Sequence, residues 1–98
     1  MSFNEECYSI LRKVPRGKVI TYSELARAVG SPKSARAVGN AMNKNPYAPR
    51  VPCHRVVGAN GEMVGFASGI ANKIKMLKRE GVELKNGKVD LKIYKVNL

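Results

Sequence analysis

Thr21-Tyr22-Ser23-Glu24-Leu25-Ala26-Arg27-Ala28-Val29-Gly30-Ser31-Pro32-Lys33-Ser34-Ala35-Arg36-Ala37-Val38-Gly39-Asn40-Ala41-Met42 reads as two short helices with a tight turn between them. Thr21 and Glu24 have capping-box spacing, Leu25, Ala26 and Val29 supply the apolar face, and Gly30 closes the first helix. Ser31 as N-cap with Pro32 at the first helical position starts the second, which runs through Ala35, Val38, Ala41 and Met42. The connection, Gly30 to Pro32, is short enough to predict a helix-turn-helix whose second helix is basic and built of small residues.

Working outward, Ser2 and Glu5 form another capping box, and Phe3, Cys7, Ile10, Leu11 and Val14 share one helical face until Pro15-Arg16-Gly17 interrupts it. Cys7 on that face reads as a packing residue. Val19 and Ile20 predict a short extended stretch. Three prolines between Asn45 and Pro52 predict a rigid extended loop that delivers Cys53. After a glycine-rich stretch from Gly58 to Gly69, a last helix is expected to begin at Ser68, with Ile70, Ala71, Ile74 and Leu77 inward, Lys75, Lys78 and Arg79 outward, and Gly81 at its end. Asn86-Gly87, both tolerant of positive φ, centres a predicted hairpin over Val82 to Leu91, and the tail to Leu98 reads as a further strand or a frayed end. The expected fold is mainly α with small β elements, winged helix-turn-helix-like: a single domain over 1–98 in which 82–98 is a hairpin and tail extension.

A length of 98 residues suits one core, and a hydrophobic fraction of 44% is that of a globular chain. No apolar run approaches a membrane span, and Met1 to Lys13 carries Glu5 and Glu6 instead of a basic, apolar leader, so an intracellular protein without a membrane partner is expected. Two cysteines and one histidine are too few for a structural zinc site, so no metal and two free thiols are expected. The net charge of +11 favours a polyanion. Its distribution sharpens this, because no acidic residue lies between Glu24 and Glu62 while Arg27, Lys33, Arg36, Lys44, Arg50 and Arg55 all do. Nucleic acid is the expected partner.

Pro52-Cys53-His54-Arg55-Val56 sets the only histidine beside a cysteine. In an extended strand the two side chains would point to opposite faces, so any cooperation requires a tight turn, with Pro52 near its start. A helix N-terminus, an imidazole and a nearby guanidinium favour the thiolate, the nucleophilic form. Taken alone, the same five residues fit a buried inert thiol next to a histidine satisfied by backbone.

Thr21–Ala26, Pro32–Gly39, Asn45-Pro46, Pro52–Val56 and Lys73–Gly81 occur together, and in these motifs the chain resembles the DNA-binding, catalytic half of the O6-alkylguanine-DNA alkyltransferases, over roughly Phe3 to Val82. The resemblance implies repair of duplex DNA by direct reversal. The helix pair enters the minor groove, Arg36 fills the gap left by an extruded nucleotide, and the lesion reaches a pocket beside Cys53. A base inside the stack cannot be attacked, so it has to leave. Cys53 is implied as the alkyl acceptor, His54 as the base acting through a water, Glu80 as the acid orienting it, Asn45 as the brace of the loop, and Tyr22 as the donor to guanine N3. Lys33, Ser34, Ala35, Gly39 and Arg55 join Arg36 on the implied DNA-binding side. Val56, Phe66, Ala67, Ser68 and Met42 are implied around the base. The backbone carbonyls of Cys53 and Val56 are implied acceptors for the guanine amino group, and the amide near Ala67 a donor to O6. No cofactor is implied, since the thiolate is itself consumed, and a monomer acting once on DNA is expected.

The resemblance is incomplete. Family members usually carry a further N-terminal domain, Phe66 stands where tyrosine is common, and Ala67-Ser68-Gly69 departs from the usual small-residue run. A related class of alkyltransferase-like proteins, similar in length, flags lesions without removing them and usually replaces the cysteine by tryptophan or alanine. Cys53 favours transfer over that alternative. A transcription factor of helix-turn-helix type would leave Pro52 to Val56 unexplained and would read the major groove.

Overall fold

The computed structural model describes residues 2–65 and 69–97. Helix α1 spans Phe3–Leu11, and its first turn is capped by the Ser2 hydroxyl, which accepts from the Glu5 amide at 3.1 Å. Cys7, Tyr8 and Leu11 are its buried face, and Val14, just beyond its end, is buried with them. Strand β1 (Ile20–Thr21) runs straight into α2 (Tyr22–Ala28), where Thr21 Oγ1 accepts from the Glu24 amide at 3.0 Å. Gly30, at φ +81°, ends α2: its own amide donates to Arg27 and the Ser31 amide to Ala26, the Schellman closure that only a residue at ease in the left-handed region permits.

Helix α3 spans Ala35–Asn43 with Ser34 at its N-cap, and so starts three residues later than the Ser31-Pro32 signal predicted. The Ser31 amide is taken by the closure of α2, and the Ser34 amide donates back to Ser31, so residues 31–34 form a turn that redirects the chain before the helix begins. The helix-turn-helix pair is as expected, with a longer connection. Tyr8 ties it to α1 by donating to the Ala41 carbonyl at 2.8 Å. Leu25, Ala26, Val38 and Ala41 are fully buried between these helices, and each large apolar side chain so enclosed contributes roughly 1.5–3 kcal/mol.

Residues 46–51 form successive turns instead of the extended loop expected. Proline forbids helix and strand interiors but not turns, and Asn45 holds the turns closed: its amide donates to the Val51 carbonyl at 2.8 Å while its oxygen accepts from the Tyr47 amide at 2.9 Å. Cys53–Arg55 then make a 3-10 turn with Pro52 at its N-cap, the tight turn that a cysteine–histidine pair requires. Strand β2 (Val56–Val57) follows and pairs in parallel with β1, Ile20 opposite Val56 and Thr21 opposite Val57.

Helix α4 spans Ile70–Arg79 with Gly69 at its N-cap, and the predicted start at Ser68 lies outside the described residues. Its inward face differs from expectation. Lys73 and Leu77 are buried, Ile74 is half-buried, and Ile70 and Ala71 are exposed. Gly81 at φ +87° closes the helix with amides of Gly81 and Val82 donating to Lys78 and Leu77, which leaves Glu80 as the C-cap.

The predicted hairpin is present as β3 (Leu84–Lys85) and β4 (Lys88–Val89), with Asn86 and Gly87 at φ 55° and 76°. The segment beyond it is a short helix, α5 (Leu91–Tyr94), capped by Asp90, and neither a strand nor a frayed end. Residues after α5 flank the edge of β1: the Val19 amide donates to Tyr94 and the Val96 amide to Val19, at 2.9 and 2.8 Å. A second buried cluster, Val19, Val57, Leu77, Val82 and Val89, forms under the hairpin and α5, behind the 3-10 turn.

Candidate active site

The 3-10 turn, the end of α4 and the start of α2 converge on Cys53. Its side chain belongs to the main core cluster with Met42, Val51 and Val56, and the residue is buried, with 9% of its surface exposed. The Cys53 carbonyl accepts from the Val56 amide, which closes the turn. Cys7, the second thiol, is fully buried in α1, where burial and then the Glu6 charge push its pKa up, as suits an inert packing residue.

His54 is buried, with Nε2 at 2.8 Å from Glu80 Oε2. Glu80 also receives both arms of Arg55, Nε to Oε1 at 2.9 Å and Nη2 to Oε2 at 2.7 Å. Burial alone would raise the Glu80 carboxyl, but the hydrogen bonds from Arg55 and His54 and their charges outweigh it and hold the carboxylate below its ordinary pKa. An ionised carboxylate only accepts, so Nε2 of His54 carries the proton that faces it. In neutral imidazole the lone pair then sits on Nδ1, and Nδ1 is buried with no hydrogen-bond partner among the described residues. Burial is the largest effect on His54 and lowers its pKa below 6.5; Glu80 opposes it, while Arg55 and Lys73 add to it. The imidazole is therefore neutral at neutral pH, with one nitrogen free to accept a proton.

Tyr22, in the first turn of α2, donates its hydroxyl to the Val64 carbonyl at 3.2 Å. Burial, then the proximity of Cys53, raises its pKa and keeps the phenol in its donating form. Tyr22 also lines an open groove of about 430 Å³ together with Ala35, Arg36, Gly39, Val64 and Gly65. Arg36 is exposed on α3, and Lys33 and Ser34 precede it in the turn, the first exposed and the second half-buried without a capping bond from its side chain. A Cβ added to Gly39 would meet nothing within 4 Å, so no contact inside the chain demands a glycine in mid-helix, where it costs about 1 kcal/mol. The space it leaves opens on the groove.

Met42 packs in the core. Arg55, expected on the DNA-binding side, is turned inward with 15% of its side chain exposed, its third contact being Nη1 to the Val14 carbonyl at 2.8 Å. A guanidinium with a buried carboxylate within reach is better satisfied there than by exposed phosphates. Val56 is fully buried in β2. Phe66, Ala67 and Ser68, expected around the base, lie outside the described residues. Among the described residues no three of His, Cys, Asp and Glu come together as a metal cluster would require.

Sequence reasoning gave Lys73 no role, although it is the largest fully buried side chain, at 0% exposure. Its ammonium donates to the Val64 carbonyl at 2.9 Å and the Gly65 carbonyl at 3.4 Å, and lies 5.8 Å above the Tyr22 ring. It thus ties α4 to the wall of the groove. The signal available was its position four residues before Leu77, on the buried face. Burial pushes its pKa down to about 8, partly offset by the neighbouring Cys53. With the folded value below the ordinary 10.5, the unfolded chain binds more protons at this residue between those two pH values, so Lys73's own contribution to stability rises with pH across that window, against the opposite contribution of the raised Cys7 and Tyr22. We expect the difference between wild type and Lys73→Met in urea denaturation to grow by on the order of 2 kcal/mol from pH 8 upward. An equal slope in both proteins would show that Lys73 contributes nothing to it.

Residues 2–82 match the family described as 6-O-methylguanine DNA methyltransferase, DNA binding domain. The chain is 49% identical over 79 residues to the methylated-DNA--protein-cysteine methyltransferase of Methanosarcina acetivorans, covering 81% of this chain and 51% of that protein. It is 47% identical to the Shigella flexneri protein of the same name, covering 81% and 46%. The chain spans about half the length of these curated relatives. Among solved structures, S. pombe Atl1 in complex with damaged DNA containing O6-carboxymethylguanine superposes with a TM-score of 0.88 at 34% identity, over 98% of this chain and 95% of that one. Mycobacterium tuberculosis OGT in complex with DNA gives 0.80 at 41% identity, over 83% and 49%. With the match reaching from the first helix through the cysteine turn to the end of α4, this chain belongs to the 6-O-methylguanine DNA methyltransferase family, by its DNA-binding domain.

Proposed function

We propose that this protein binds duplex DNA through α2 and α3, receives an extruded O6-alkylguanine in the groove beside Tyr22 and Arg36, and transfers the alkyl group to Cys53. The observation that carries this reading is a buried thiol at the head of a turn whose next residue is a neutral histidine, proton-bearing toward Glu80 and, among the described residues, unpartnered at Nδ1. His54 Nδ1 takes the thiol proton through a water. The sulfur then attacks the alkyl carbon in line, an S–C bond forms as the C–O6 bond breaks, and the electron pair leaves on the guanine. Tyr22 exchanges its long bond to Val64 for one to N3, where negative charge develops, and a proton returned to the base completes the balance. The product is a thioether, so each molecule acts once.

Arg36, exposed at the groove, occupies the space vacated by the base, and Lys33, Ser34, Ala35 and Gly39 lie along the phosphate track. Asn45 holds the turns that present Cys53. The DNA is contacted through its minor groove by a monomer. The whole chain forms one DNA-binding and catalytic domain, with 82–98 as its extension.

A second reading, lesion recognition without transfer, is favoured by the near full-length likeness to Atl1 in both chains. Intact-protein mass spectrometry after incubation with an O6-methylguanine duplex separates the two. Transfer adds the mass of one methylene, mapped to Cys53 and absent in Cys53→Ala. Stoichiometric binding of the duplex with no mass gain would establish the sensor reading instead.

A further inference from the structure

We propose that Arg55 is a positioning residue for the reaction: by clamping both oxygens of Glu80 and the Val14 carbonyl, it fixes His54 as the neutral, Nε2-protonated tautomer and leaves Nδ1 as the proton acceptor. This deepens the transfer reading and rests on it.

The clamp joins three parts of the chain. Arg55 lies in the 3-10 turn, Glu80 at the end of α4, and Val14 just past α1, so residues 41 and 25 positions away meet one guanidinium. A fork of fixed geometry is needed for this, because two parallel bonds to a carboxylate and a third to a carbonyl use three separate N–H directions in one plane. Lysine offers the charge without the plane.

The effect on His54 follows from sharing. Glu80 Oε2 accepts from both Arg55 Nη2 and His54 Nε2. Without the guanidinium, the carboxylate would face the imidazole with its full charge and stabilise the imidazolium, which carries protons on both nitrogens and cannot act as a base. With it, the carboxylate still orients the ring but its charge is already neutralised. The charged groups facing His54 are Glu80 and Lys73 from α4 and Arg55 from its own turn, so two cations meet one anion and the balance disfavours a third positive charge. The inward turn of Arg55 also explains why a cation inside the uniformly basic 25–61 stretch is removed from the surface.

The chain has a single histidine, so 15N-histidine labelling and long-range proton–nitrogen correlation give its tautomer and titration without overlap. In free wild-type protein at neutral pH, His54 is expected to be neutral and protonated on Nε2. Arg55→Met should move its titration midpoint upward by about one pH unit, the scale on which one neighbouring charge acts. Arg55→Lys, which restores the charge, should return the midpoint most of the way. The acid limb of the single-turnover transfer rate should move in parallel in each variant. A wild-type His54 protonated on Nδ1 or charged at neutral pH overturns the proposal, as does an unchanged midpoint in folded Arg55→Met. Should Arg55→Met fail to fold, the wild-type tautomer and the Arg55→Lys titration decide it. Because tautomer and midpoint are read without DNA, expected NMR results with no alkyl transfer would reject the transfer reading alone.

Discussion

Glu80→Ala is expected to destabilise the protein by about 3–5 kcal/mol and to slow alkyl transfer by at least about 100-fold. The carboxylate serves two donors at once: Arg55 binds both of its oxygens and His54 binds one of them. Removing it leaves a guanidinium, 15% exposed, with only the Val14 carbonyl, and a buried imidazole with no partner on either nitrogen. Breaking an enclosed ion pair costs more than the pair contributes, because the remaining charge has lost its solvent and its counterion together. Glu80→Gln is expected to fall in between, since an amide can accept from one donor but turns its own NH2 against the other. Urea denaturation at neutral pH measures the first effect and single-turnover transfer the second. A midpoint unchanged by the alanine variant would show that this network does not hold α4 to the cysteine turn.

Gly61→Ala carries the other large effect, a loss of at least about 3 kcal/mol concentrated in the C-terminal hairpin. Gly61 has φ +84°, and a Cβ there would run into the Val89 carbonyl. Both sides of this approach are backbone and both are bonded. The Val89 amide donates to the Gly61 carbonyl at 2.9 Å, and the Gly61 amide donates to Gly58, so neither segment can retreat without breaking a hydrogen bond. Gly30→Ala is the control: its φ is +81°, but an added Cβ meets nothing within 4 Å, so only the conformational cost of about 1–2 kcal/mol applies. The difference between the two variants isolates the collision. Limited proteolysis of Gly61→Ala should cut first within 84–97, where the hairpin and α5 have lost their anchor; equal protection in the two variants would mean that the hairpin accommodates the methyl group.

The parts of the fold that were legible in the chain are those with short-range causes. Thr21 with Glu24 and Ser2 with Glu5 cap helices three residues away, Gly30 and Gly81 close them, and Asn86-Gly87 turns a hairpin between adjacent strands. The start of α3 was misplaced because two demands met at Ser31: its amide was needed to close α2, which the Ser31-Pro32 start signal does not register. The tail was ambiguous for a related reason. Asp90 caps a helix only four residues long, and what holds that helix is a backbone contact with Val19, more than seventy positions earlier.

For the site, the sequence by itself determined the adjacent cysteine and histidine and the basic helix pair, since charge distribution and capping act locally and the motifs are contiguous, while the tight turn at Cys53 was a condition that the fold met. Tertiary structure alone decided the fate of the long cationic side chains. Lys73 and Arg55 look in sequence like surface charge, and each is enclosed because carbonyls or a carboxylate from other segments replace the water it gives up. A side chain's charge is written in the chain; whether it finds enough acceptors to leave solvent depends on which segments the fold brings within 3 Å of it.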